Sequence, residues 1–247
     1  LNVFNWSDYI ASDTLERFTA DTGIKVNYDV YDSNEMVEAK LMAGKSGYDV
    51  VFPSAFPFVA RQIQAQIYQP LDKQKLSNYG NLENGVLNSL NATDAQVLAY
   101  AVPYMIAGTG VGFNRAKVNE LAPGAPTDSW GLIFDPKWSD ALKACGISVL
   151  DDPSEVFAAA LVWLVKNPRS EDPEDFKAAS ADIERIRPNL RYIHSSSYIN
   201  DLAKGDLCVA HGYGGDLIQE RDRAIEAKNN VDIRVYLPVE GAQIVID

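Results

Sequence analysis

Histidine, cysteine and methionine are scarce in this chain: two, two and three among 247 residues. The histidines, His194 and His211, stand far apart, and no His-x-x-x-His or Cys-x-x-Cys pair occurs, so no metal centre is expected. The Gly-x-Ser-x-Gly nucleophile elbow is absent. Gly44-Lys45-Ser46-Gly47 lacks the spacing of that elbow. Gly212-x-Gly214-Gly215 is followed by no Lys-Ser/Thr and is not a dinucleotide fingerprint either. No catalytic residue is assigned on these motifs. There is no run of roughly 18 or more apolar residues, so no spanning helix is expected. The longest apolar stretch, Val156 to Val165, reads as a buried core helix. Basic residues are outnumbered, giving a net charge of −12. Such a surface repels nucleic acid and anionic membranes and concentrates cations. No signal peptide opens the chain. It begins on strand-like Leu1-Asn2-Val3-Phe4, and it stops within a strand-like Ile244-Val245-Ile246-Asp247. The expectation is that polypeptide is missing beyond Asp247.

What is present is an ordinary globular composition, 47% apolar and 23% charged, long enough for one large or two small cores. Leu1 to Asn5 reads as a strand. Ser12 or Asp13 can cap a helix, with Glu16 in capping-box spacing and Leu15 and Phe18 on one face, ending at Gly23. Ile24, Val26, Tyr28 and Val30 alternate as a half-buried strand. Asn34 can cap a second helix that ends at Gly44, and Tyr48 to Phe52 reads as a compact buried strand. This β-α-β-α-β order implies a mainly parallel sheet covered by helices, with ligands outside the carboxyl ends of the strands. Trp6-Ser7-Asp8-Tyr9 and Ser54-Ala55-Phe56 follow strands and fall there.

Glycines 108, 110 and 112 suit either a crossing segment between lobes or a buried strand. A second α/β unit follows. Gly146 to Leu150 is a strand, and Asp152-Pro153-Ser154-Glu155 opens the apolar helix as a capping box. Leu207 to Ala210 is a strand, then Gly212 to Asp216 a turn, then a helix through Ala227. Val231 to Leu237 is a further strand. His211 reads either as a satisfied polar residue at a strand end or as a base beside Asp216. Cys145 and Cys208 are free thiols in a cytosolic protein or one disulfide in a secreted one, and spacing leaves both open.

Several spaced blocks resemble the putrescine/spermidine-binding proteins of bacterial ABC importers, the putrescine-binding subgroup most closely. They are Asn5-Trp6-Ser7-Asp8-Tyr9-Ile10, Tyr28-Asp29-Val30-x-Asp32-Ser33-Asn34-Glu35, Lys40-Leu41-Met42-Ala43-Gly44, Pro53-Ser54, Pro103-Tyr104-Met105, Arg187-Pro188-Asn189, Arg191-Tyr192 and His194-Ser195-Ser196-x-Tyr198-Ile199-Asn200-Asp201-Leu202-Ala203. The resemblance covers the whole chain. It implies a two-lobed α/β periplasmic binding protein fold of type II, closing on ligand like a clamp and truncated at the carboxyl end. The lobes would be residues 1–108 and 109–240, with 241–247 starting the return to the first. It implies no cofactor, a periplasmic location, a monomer, a polyamine ligand, a membrane permease as partner and no nucleic acid.

Site residues carry over one at a time. Trp6 and Tyr9 match aromatics that line the cleft, and Ser7, Asp8 and Ser54 match its polar contacts. Glu155 matches an acidic residue of the second lobe. Asp216 matches the carboxylate that holds an amine end, and Asp247 a further carboxylate. Cys145 and Cys208 match a cysteine pair that is a disulfide in some members. Tyr213 stands where the family usually has Trp, Val245 replaces an aromatic, and Asp152 stands where putrescine binders have a small residue. An added carboxylate at Asp152 would favour a longer or more charged amine. Two other readings remain: an enzyme using His211 and Asp216, and a sensor that binds the amine without transport.

Overall fold

Parallel pairing organises the amino-terminal part of the molecule, as the β-α-β-α-β order requires. The computed structural model describes every residue but Asp8. The chain divides into unit 1, Leu1–Ile106 with Val245–Asp247, and unit 2, Ala107–Ile244.

In unit 1, β1 (Asn2–Trp6) lies between β2 (Asn27–Tyr31) and β3 (Val50–Val51), parallel to both. Helices α1 (Thr14–Thr22) and α2 (Asn34–Met42) supply the crossovers, and α3 (Ala60–Gln64) and α4 (Asn84–Thr93) follow. Gly23 ends α1 at φ 72°, the left-handed position that glycine takes without a Cβ penalty.

Five local expectations change. Ser33, not Asn34, caps α2 by accepting from the Met36 N–H, which releases the Asn34 side chain for the interior. Asp13 precedes α1 but makes no side-chain cap bond. Leu15 and Phe18 form no buried face, since α1 has no buried residue. The third strand is two residues long and sits at a sheet edge, so Val50 is exposed rather than buried. In β2 it is Tyr31 that goes inside, while Val30 faces out.

Unit 2 holds β4 (Ile106–Asn114), α5 (Arg115–Leu121), α6 (Gly131–Phe134), α7 (Pro136–Leu142), β5 (Ile147–Val149), α8 (Pro153–Trp163), α9 (Pro173–Ile186), β6 (Leu190–Ile193), α10 (Ser197–Lys204), β7 (Val209–Tyr213), α11 (Gly214–Ala227) and β8 (Ile233–Tyr236). The sheet order is β6-β5-β7-β4-β8. β5 runs parallel to β6 and β7, while β4 runs antiparallel to β7 and β8. The glycines at 110 and 112 lie within β4, buried from Thr109 onward.

α8 buries Val156 and Ala158 to Val162 in the core of this unit. The apolar run outlasts the helix: Val165 adopts φ 57° and is 90% exposed. β7 also runs further than its sequence suggests. Gly212 and Tyr213 still pair with β4, so α11 follows the strand with no intervening turn. His211 is fully interior, edge-on to Trp130 at 5.4 Å, and neither ring nitrogen has a hydrogen-bond partner. It is therefore not the satisfied strand-end residue expected, because the longer strand carries it into the core.

Cys145 and Cys208 form a disulfide. Each stands just before one of two adjacent parallel strands, with Ile147 opposite Val209, which brings the two cysteines to the same end of the sheet. The bridge closes a sequence separation of 63 residues. Replacing both cysteines with alanine should cost about 2–4 kcal/mol, chiefly by freeing the unfolded chain. Urea unfolding measures this, and an unchanged midpoint would show the bridge to be dispensable.

Glu220, in α11, is wholly buried, and neither carboxyl oxygen has a hydrogen-bond partner. Burial raises its pKa from 4.5 to about 10; nearby Asp216 pushes the same way and Arg223 opposes. The folded value exceeds the unfolded one, so the folded protein holds a proton that the unfolded chain releases above about pH 4.5. The resulting cost begins there and grows with pH until the folded-state group itself ionises. Glu220→Met should therefore raise stability at pH 8 by an amount on the order of several kcal/mol. The gain should vanish near pH 4. Urea unfolding across this range checks it, and a gain independent of pH would contradict it.

Candidate functional site

The carboxyl ends of β1 and β3 converge on Asp247 within unit 1. Asp247 is 9% exposed. One carboxylate oxygen accepts from the Tyr9 hydroxyl at 2.7 Å and the other from Ser54 at 2.6 Å. Ser54 is held by Asn34 through two bonds of 2.9 Å, the Asn34 amide donating to its hydroxyl and its own N–H donating back. The Tyr104 hydroxyl donates to the Tyr9 carbonyl at 2.8 Å. Trp6 is buried, its indole N–H donating to the Phe52 carbonyl at 2.8 Å. Its ring centroid lies 4.7 Å from Tyr31 and 6.1 Å from Tyr9. The Ser7 hydroxyl donates to Asp32 at 2.7 Å. The expected contact at Asp8 lies outside the described residues.

Burial pushes the Asp247 carboxyl above its ordinary value, and the Ser54 and Tyr9 hydroxyls pull it back. No lysine or arginine pairs with it among the described residues. Tyr31, almost fully buried nearby, has a hydroxyl with no hydrogen-bond partner among the described residues. Asp247 also borders a cavity of about 750 Å³ lined by Phe52, Tyr68, Tyr100 and Tyr104 among others.

In unit 2 a second polar cluster forms at the carboxyl ends of β5 and β7 and the amino ends of α8 and α11. Asp152 caps α8, one oxygen accepting from the Glu155 N–H at 3.2 Å. Its other oxygen accepts from the Tyr213 hydroxyl at 3.0 Å. Glu155 is both a first-turn residue of α8 and a buried acceptor, taking bonds from the Thr109 hydroxyl and from the Gln243 amide at 3.0 Å. Asp216, in the first turn of α11, accepts from the Tyr198 hydroxyl at 3.0 Å. Carboxylates in a helix first turn also gain from the backbone dipoles. Burial holds the Tyr213 phenol well above its usual pKa, and the neighbouring Asp152 charge adds to this.

Sequence reasoning missed Asn34, Tyr104, Thr109, Tyr198 and Gln243 as parts of these clusters. Asn34 reads as a helix cap, and Tyr198 only as part of the resembling block His194 to Ala203. Only tertiary contacts reveal their hydrogen bonds. No hydrogen bond joins His211 to Asp216, and burial alone lowers the imidazole pKa to about 3.

Residues 13–246 match the family of bacterial extracellular solute-binding proteins, and the chain belongs to that family. Its α/β fold is that of the type II periplasmic binding proteins. Over 243 residues, 98% of its length, it is 52% identical to the putrescine-binding periplasmic protein SpuD of Pseudomonas aeruginosa, of which it covers 66%. It is 50% identical over 249 residues to the putrescine-binding periplasmic protein PotF of Escherichia coli, covering 100% of this chain and 67% of that one. The crystal structure of the TpPotD lipoprotein of Treponema pallidum superposes with a TM-score of 0.80 at 28% identity, covering 100% of this chain and 72% of the other. The chain thus spans about two thirds of the length of these relatives.

Proposed function

We propose that this chain is the ligand-recognising part of a periplasmic solute-binding protein that delivers a polyamine to the membrane permease of an ABC importer. The solute is putrescine, spermidine or a related cationic amine. Asp247 carries the reading: a nearly buried carboxylate, held by two neutral hydroxyls and bordered by tyrosines, complements an ammonium group. Carboxylates offset the charge of such a ligand, and aromatic faces pack its methylenes and attract its cations. The names of the relatives at 50–52% identity support the same choice. The proposed contacts are Trp6, Ser7, Asp8, Tyr9, Ser54 and Asp247 in unit 1, and Asp152, Glu155, Tyr213 and Asp216 in unit 2.

The action is binding without covalent chemistry. An acid-base pair of His211 and Asp216 is disfavoured because the imidazole is buried, unbonded and hard to protonate. Titration calorimetry with putrescine, cadaverine, spermidine and spermine should give heat with at least one. Asp216→Ala should weaken that binding by about 2–3 kcal/mol, the loss of a charged hydrogen bond. Absence of heat with all four amines would remove the polyamine reading. Unchanged affinity in the variant would remove Asp216 from the contacts.

A further inference from the structure

Tyr198 stands outside the proposed contacts, yet it ties two of them together. It lies in the first turn of α10 with no exposed surface. Its hydroxyl donates its one proton to Asp216 and accepts from the Tyr213 N–H at 3.1 Å. Tyr213 in turn donates its own hydroxyl to Asp152. One phenol thus joins the first turn of α11 to the end of β7, and through Tyr213 to the cap of α8.

The ring reaches this place because residue 212 is glycine. A Cβ there would stand 2.5 Å from Tyr198 Cε2 and 2.9 Å from Cζ. The first glycine of the Gly212-x-Gly214-Gly215 run therefore makes room for a tyrosine rather than for a phosphate. A phenylalanine at 198 would fill nearly the same volume. It would also remove a donor from Asp216 and leave the part-buried Tyr213 N–H without this acceptor. Packing accounts for the ring but not for the hydroxyl.

We propose that Tyr198 is a positioning residue for the ligand contacts of unit 2, fixing Asp216 and Tyr213 through a single buried hydroxyl. This rests on the polyamine reading for its functional consequence, though not for its geometry. Burial keeps the phenol protonated, with Asp216 reinforcing this, so the hydroxyl remains a donor at neutral pH. Tyr198 of α10 donates to Asp216, Tyr213 of β7 donates its N–H to the same Tyr198 hydroxyl, and Asp216 and Arg223 both act on Glu220 of α11.

The test is Tyr198→Phe, with Tyr192→Phe as control. The Tyr192 hydroxyl donates to Asp201 at 2.9 Å, a similar bond outside this cluster. Two quantities are read: putrescine affinity by calorimetry, and the titration midpoint of the Asp216 carboxyl by ¹³C NMR. Tyr198→Phe should weaken binding about tenfold and move the Asp216 midpoint upward, because the ionised form loses a donor. Tyr192→Phe should lower thermal stability and change neither. Should Tyr198→Phe fail to fold, 3-fluorotyrosine at 198 keeps ring and hydroxyl while strengthening the donor, and the midpoint should move down. An unmoved Asp216 midpoint overturns the proposal whatever the affinity does. If the native protein binds no amine, the polyamine reading fails, and the Asp216 midpoint still decides whether Tyr198 positions it.

Discussion

A carboxylate removed from water must find donors, and much of this structure is arranged to meet that requirement. Asp247 takes two hydroxyls, one of them held by Asn34. Asp152 takes a backbone N–H and a phenol. Glu155 takes a hydroxyl and an amide. Such donors lower the cost of burial without neutralising the charge. That is the electrostatic condition a cationic ligand needs, because its own charge then completes the pairing.

Glu220 shows the other solution. One turn beyond Asp216 on the same helix, it has no donor and holds its proton instead. Of the two acidic residues four apart on α11, Asp216 accepts a hydrogen bond from a phenol and Glu220 accepts none. His211 is the basic counterpart, a buried imidazole kept neutral by the same desolvation. A count of formal charges would misplace Glu220.

The position of Asp152 also revises its role. Its two oxygens serve the helix cap and the Tyr213 hydroxyl. Asp152 and Tyr213, both departures from the family pattern seen in the sequence, are thus in contact with each other. A tyrosine can use a carboxylate at this place through its hydroxyl, so the two changes make physical sense as a pair.

Local sequence signals determined a good deal. Gly23 ends α1, Asp152 with Pro153 starts α8, and Ala227 closes α11 as expected, because caps and left-handed glycines act over a few residues. The family resemblance foretold the disulfide, and adjacency of β5 and β7 is why it forms. The sequence also placed Trp6-Ser7-Asp8-Tyr9 and Ser54 after strands, where ligand sites of parallel sheets lie. Tertiary structure alone decided which side chains reach across. Val50 is exposed because β3 is an edge. Asn34 turns inward because Ser33 takes the cap. Tyr198 finds Asp216 because Gly212 leaves it room. Such contacts join residues distant in sequence, and no local pattern encodes them.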